Sequence, residues 1–503
     1  MYTRAIASVV LASFLSACTS WRSRPVAAES LTRSHPTLAR LFLADRVIQV
    51  RDAVIEGDSL IGRWNSVRIA VATSEVRRLE VNVFDGGKTA LLVAGIGVTA
   101  IVIIAAGANE PPPSSTPICS GEQCGFSCPL VYSWDGQEWR LDSGTFGGAI
   151  MRALARLDVD NLDAAVAQDG IVRLRVANEL NETDHLDAVA LWAVDHPAGV
   201  TVAPDGAGRL HALGTLTAPF SARDFSGRDA LPRVRAADGW SWESALVQRD
   251  TSSVANVRDG IEVAFPKPRD VGVARVVVDG RNTPWAARML AEFVRAHGHE
   301  TASWYDSLNA NPELARRTGA RLAQEAFLSV SVRTPAGWER QGLVWEAGPE
   351  IVKRQVAELD LARVTGDTLF VRLESAPSFW LLDRVAVDFS IAPSLGVHEA
   401  RFASAIDGHG RDVRSLIARP DGRDYTLETG DRAELVFHVP DVPPGMARSY
   451  VLRSHGWYQI HTEAVGAPQT ALLERVASEP YAISRLAVSR MNDALRALER
   501  GTR

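Results

Sequence analysis

Residues 171–180, IVRLRVANEL, and 187–197, DAVALWAVDHP, decide how the chain is read. In the first, Val172, Leu174 and Val176 alternate with Arg173 and Arg175. That period of two marks a half-buried strand rather than a helix. The second is apolar and β-branched until Asp195 and Pro197 stop it. GIEVAF, VARVVVDG, FLSVSVRT, GLVWEAG, TLFVRLES, FWLLDRVAVDFS, AELVFHVP and SYVLRSHGWYQIH repeat the pattern between Gly, Pro and Asp turns. The spacing predicts β-sandwich-type domains over 129–280 and 326–480. No clean short-period repeat is visible, and two related sandwich halves are left open without being demonstrated.

Helices break this run in two places. Thr283 can cap a helix with Pro284 in its first turn and Gly298 past its end, and Asn311-Pro312 opens another. Residues 281–325 therefore read as a helical insert. In 481–503, Ile483, Leu486, Met491, Leu495 and Leu498 fall on or near one helical face. Toward the N-terminus, Val131–Trp134 and Glu138–Leu141 flank Asp135-Gly136, a strong hairpin signal. Further back, VIQVRDAVIEGDSLIG, RIAVA and RRLEVNVF give four or five short strands. Glu56-Gly57-Asp58 turns between two of them, so 34–88 reads as a small barrel-like β unit.

The chain has 503 residues with a formal charge of −6, which argues against nucleic-acid binding through bulk positive charge. Met1–Ala17 reads as a signal peptide: Arg4, an apolar run, then small residues. Leu15-Ser16-Ala17-Cys18 resembles the lipobox of bacterial lipoproteins. The resemblance implies cleavage before Cys18, acylation there, and, with Thr19 following, retention at the outer membrane. Residues 18–33 then read as a lipidated tether. The small β unit resembles a domain that precedes an apolar helix in other bacterial envelope lipoproteins. Cys128-Pro-Leu-Val-Tyr-Ser-Trp-Asp-Gly136 is similar to a segment of uncharacterised bacterial secreted proteins and lipoproteins, which implies architecture rather than chemistry.

Thr89–Ala108, TALLVAGIGVTAIVIIAAGA, is uncharged over 20 residues. That is about 30 Å of helix, enough to cross a bilayer core. Lys88, with Arg77 and Arg78 behind it, would sit against the usual charge bias if this helix crossed the inner membrane. A leaflet-bound or protein-packed helix is the alternative. Residues 109–128 form a proline-rich linker carrying Cys119, Cys124 and Cys128. Outside the cytoplasm these are disulfide candidates with three pairings, each leaving one thiol.

The chemistry-bearing motifs are weaker. Asp85-Gly86-Gly87-Lys88-Thr89 lacks the first glycine of a phosphate loop, with Asn82 in its place. Asp158, Asp160, Asn161, Asp163 and Asp169 lack the glycine and glutamate of a calcium loop and read as a solvated acidic turn. Asp407, His409 and Asp412 among glycines read as a β-turn. His297 with His299, and His455 with His461, lack zinc-site spacing. No catalytic residue, metal or cofactor is assigned. The 13 tryptophans point to aromatic binding faces or to core. Trp240-Ser241-Trp242 places two indoles on one side of an expected strand and is the ligand-binding candidate. The composite is an envelope lipoprotein, membrane-anchored, whose β domains bind an envelope polymer or a protein partner. The competing reading is an envelope hydrolase with carboxylates such as Asp195 or Asp306 in a cleft between sandwiches.

Overall fold

The computed structural model describes residues 19–24, 38–42, 47–57, 59–64, 67–76, 78–84, 129–462 and 465–501. Cys18, the apolar segment 89–108, the loop 85–89 and the cysteines of 109–128 lie outside the described residues. Among the described residues, no helix is long and apolar enough to cross a membrane. The chain divides into two compact units.

The N-terminal unit has six strands: β1 (Thr19–Arg24), β2 (Leu38–Phe42), β3 (Val47–Glu56), β4 (Ser59–Trp64), β5 (Val67–Ala72) and β6 (Arg78–Phe84). They form one antiparallel sheet in the order β1-β6-β2-β3-β4-β5. Leu41, Val50, Leu60 and Leu79 are fully buried in its core. Gly57, at φ +58°, makes the β3–β4 turn. The polar stretch expected as a tether opens with β1, which pairs with β6 from Thr19↔Phe84 to Arg24↔Leu79. Its sequence, TSWRSR, shows no apolar alternation, so pattern alone does not reveal it.

The second unit is mainly β and built from two sandwiches. Its strands fall into four runs. The first run is β7 (Leu130–Trp134), β8 (Trp139–Gly144), β9 (Arg156–Leu162), β10 (Ile171–Ala177) and β11 (Glu182–Pro197). A hairpin follows, β12 (Thr201–Pro204) and β13 (Leu210–Leu213). The second run is β14 (Leu216–Thr217), β15 (Ser221–Asp224), β16 (Asp259–Pro266) and β17 (Val273–Asn282). Three helices intervene, α1 (Pro284–Arg295), α2 (Thr301–Ala310) and α3 (Pro312–Ala326). The third run is β18 (Leu328–Thr334), β19 (Gly337–Val344), β20 (Lys353–Asp360), β21 (Thr368–Ser375) and β22 (Trp380–Asp388). The fourth is β23 (Gly396–Glu399), β24 (Arg401–Asp407), β25 (Tyr425–Leu427), β26 (Arg432–His438) and β27 (Met446–Ile460), before α4 (Thr470–Ser478) and α5 (Ala482–Gly501), of which residues up to Asp493 belong to this unit.

An outer sandwich combines the first and fourth runs in sheets β24-β26-β10-β7-β8 and β23-β11-β27-β9. An inner sandwich combines the second and third runs in sheets β15-β16-β21-β18-β19 and β14-β22-β17-β20. The two orders match strand for strand. The runs thus read first half, second half, first half, second half, and each half pairs with the partner from the other copy. This is the geometry of a domain swap contained in one chain. The contiguous division into 129–280 and 326–480 is corrected accordingly. Strand β10 lies beside β26, with Val172 opposite Phe437, and β16 lies beside β21, with Val263 opposite Val371.

The repeat extends to single hydrogen bonds. Asp224 Oδ1 accepts from the Ser226 and Arg228 amides at 3.0 and 2.9 Å, and Oδ2 accepts from Arg228 Nε at 2.6 Å. Asp407 does the same with the His409 and Arg411 amides at 2.9 and 2.8 Å, and with Arg411 Nε at 2.6 Å. Each knot is followed by a one-turn helix, then by a glycine amide donated to a carboxylate on the central strand. Gly422 N donates to Asp187 Oδ1 and Gly239 N to Asp383 Oδ1, both at 2.8 Å. Cross-strand pairs Arg448–Asp195 and Arg275–Asp388 complete the correspondence.

Helix α1 starts where expected. The Thr283 side chain accepts from the Ala286 amide at 3.2 Å and donates to the Ser378 carbonyl at 2.5 Å. Trp285, Met289 and Phe293 are buried below it. Helix α3 is capped by Asn311, which accepts from the Leu314 amide at 3.0 Å. In α5, Ile483, Ala487, Val488 and Met491 are buried. Thr283→Ala removes one buried bond and one cap, so a loss of about 1–2 kcal/mol in urea unfolding is expected.

Candidate functional site

The sequence candidates separate once placed. Trp242 pairs its backbone with Leu382, donating at 2.7 Å and accepting at 3.0 Å, and this turns its indole into the core at 5% exposure. Trp240 is 38% exposed, outside any strand, with the Arg233 guanidinium 3.9 Å from its ring. The expected two-indole face of a strand is therefore absent. Two-residue spacing puts side chains on one side only where the backbone is extended strand, and here only an isolated bridge forms.

The acidic run near Asp158 is neither a solvated turn nor a calcium loop. Asp158 and Asp160 lie on strand β9 of the outer sandwich. Lys353, from β20 of the inner one, reaches between them at 3.1 and 2.5 Å. Lys353 is 7% exposed. Burial raises both carboxyls, and the Asp158 charge adds to this at Asp160, which stays raised. Lys353 and Arg156 outweigh burial at Asp158 and leave it lowered. Among the described residues, no group of three His, Cys, Asp or Glu is placed to hold a metal.

The histidine pairs do not converge either. His297 is buried and stacks on Trp304 at 3.8 Å, while His299 Nδ1 meets the Gly466 carbonyl at 2.8 Å. His455 Nδ1 meets Asp187 at 2.9 Å, and His461 Nε2 lies 2.8 Å from Thr183 Oγ1. The candidate acids are also separate. Asp195 is 2% exposed, with both oxygens held by Arg448 at 2.7 and 2.8 Å. Asp306 is exposed on α2. Glu182 and Asp184 both lie buried on β11, and burial pushes Asp184 well above the carboxylate range. That pair has no solvent-open cleft around it.

A different constellation, half-buried at the sheet surface, occurs twice. On the solvent face of the outer five-stranded sheet, the Arg175 guanidinium lies 4.2 Å from the Trp139 ring and pairs with Glu434 at 2.7 Å. Trp134 meets Trp139 edge-on, with centroids 5.5 Å apart. On the inner sandwich, Arg372 lies 4.3 Å from Trp338 and pairs with Glu262 at 2.5 Å. Strand register makes the rows equivalent. Trp139 faces Trp134 as Trp338 faces Arg333, and Arg175 faces Glu434 as Arg372 faces Glu262. In both copies the Trp is set diagonally to the Arg–Glu pair: Arg175 lies opposite Tyr132 and Arg372 opposite Ser331, two residues along the strand from the position facing each Trp. Trp139 was visible in the sequence as a strand tryptophan. Its partners were not, because they come from the first and fourth runs in one sandwich and the second and third in the other. No protein-family model matches the chain, and no curated protein matches it.

Proposed function

We propose that the protein is a bacterial envelope lipoprotein, held at the outer membrane by acyl chains on Cys18, that binds a cell-wall polymer without chemistry. The observation that carries this reading is the twice-kept Trp–Arg–Glu row. Exposed side chains away from special features change at little cost in stability, so divergence between two copies erases them readily. The buried Arg–Asp pairs have a core-packing reason to stay, whereas the rows lie half-buried at the sheet surface. Indole faces ordered by a guanidinium suit the apolar faces of pyranose rings, with Arg and Glu supplying hydrogen bonds. Two such rows in one chain allow both to engage a repetitive polymer. The locked state of Asp195 and the burial of Glu182 and Asp184 favour binding over hydrolysis.

Sedimentation with insoluble peptidoglycan sacculi tests this reading. The wild-type protein is expected in the pellet. Trp139→Ala and Trp338→Ala should each weaken retention severalfold, and the double variant should be lost beyond the product of the two. Soluble wild-type protein, or full retention of the folded double variant, would refute the reading.

A further inference from the structure

The exchange of halves sends two connections across between the sandwiches: the β12–β13 hairpin and residues 389–395. Between them lies a groove of about 470 Å³. This is within the size range of small-molecule sites, which favour domain junctions. Trp192, Leu210, Leu395 and Val397 supply its apolar lining; Arg275 and Glu358 line it as charges, with Arg209, which is paired to Asp205. The floor is continuous with a small core of Val159, Val194, Val202 and Val451.

Arg275 differs from its counterpart in the other copy. Arg448 uses Nε and Nη2 on Asp195, and Nη1 on the Pro440 carbonyl. Arg275 is equally buried, at 8% exposure, but bonds through Nη2 alone, to Asp388 at 3.0 Å and to the Ser390 carbonyl. Its Nε is buried without a partner, and among the described residues Nη1 takes none. A buried guanidinium with donors unmatched is costly unless an acceptor completes it. Arg275, the incomplete copy, lines the groove. His211 beside it is held by Asp205 through Nε2 at 3.0 Å, with Glu358 3.8 Å from Nδ1.

We propose that this groove binds a small organic monoanion, a carboxylate on a flat or aliphatic apolar body. The carboxylate sits on the Nη1 side of Arg275 and the body lies against Trp192, Leu395 and Val397. Glu358 at the mouth disfavours a second negative charge. The site is independent of the polymer-binding rows, and its failure would leave them standing.

The test is calorimetric titration of the whole chain with 1-naphthoate, and with 1-naphthalenemethanol as its uncharged analogue. One naphthoate per chain is expected, with the alcohol at least about tenfold weaker. Val397 is 45% exposed, so V397D should fold and should abolish naphthoate binding through like charge. R275Q should bring naphthoate down to the level of the alcohol. A matching melting curve for V397D guards against misfolding. No binding to the folded wild type, equal binding of acid and alcohol, or unchanged binding by V397D would each overturn the proposal.

Discussion

Replacing Lys353 by methionine is expected to cost about 3–5 kcal/mol in urea unfolding at pH 7. The methionine keeps the length and most of the packing of the stem but removes the charge. Asp158 and Asp160 then share a largely buried site with no cation between them. Asp160 also accepts from the Ser143 hydroxyl, and Asp158 from the Phe146 amide at 2.7 Å, so neither carboxylate can swing out without breaking further bonds. The triad joins β9 of the outer sandwich to β20 of the inner, and the loss should therefore open the junction before either sandwich. Hydrogen exchange would show this as early loss of protection in β9 and β20. Adding D158N and D160N to K353M should recover most of the stability, because an uncharged buried cluster is often no worse than an ionic one. A deficit for K353M under about 1 kcal/mol would mean the site is solvated.

How legible this was from sequence depends on the range of the interaction concerned. The Asp135-Gly136 hairpin and the Thr283 and Asn311 caps are local, and short-range chemistry predicts each one. The alternation in 171–177 gives a strand but not its neighbour, and neighbours make the fold. Period-two patterning is silent on whether β10 pairs with a strand of the adjacent run or with β26, far along the chain. Hence a mainly β, sandwich-type class was readable and the exchange was not. A signal for the repeat did exist: Asp224-Phe-Ser-Gly-Arg-Asp229 and Asp407-Gly-His-Gly-Arg-Asp412 share four identities at one spacing, and Leu-Asp recurs at 186–187 and 382–383. Two copies that far apart leave no short-period repeat in the chain. Site reading failed for the same reason. The counter-ion of Asp158 stands 195 positions away, so the acidic run looked solvated. Trp242 and Trp240 looked alike until backbone pairing with Leu382 sent one inward.

Glu346→Gln is expected to stabilise the protein by about 2–3 kcal/mol at pH 8 and to leave it unchanged near pH 4. The Glu346 carboxyl lies in the β19–β20 connection, over Gly147 and Gly148. A Cβ on Gly148 would fall 1.9 Å from Glu346 Oε2 and push that carboxyl aside, and the backbone there, at φ +80°, favours glycine. Burial pushes the carboxyl from its usual 4.5 up to about 7, and the charge of Arg156 offsets only part of that. The Arg156 guanidinium lies 4.8 Å from the Trp345 ring. The folded state therefore holds the proton more tightly than the unfolded chain does. Below pH 4.5 both states are protonated and the group costs nothing. Between 4.5 and about 7 the unfolded chain ionises first, and stability falls as pH rises. Above that range the full penalty persists. Glutamine has the same shape without the titration, so the difference between variant and wild type should open across that interval and then stay flat. Other carboxylates such as Asp158 and Asp205 are lowered and pull the wild-type profile the opposite way, so the difference curve is the quantity to measure. A variant no more stable than wild type at pH 8 would show that Glu346 is ionised and hydrated in the folded protein. The close approach over Gly148 would then have to be loose enough to admit water.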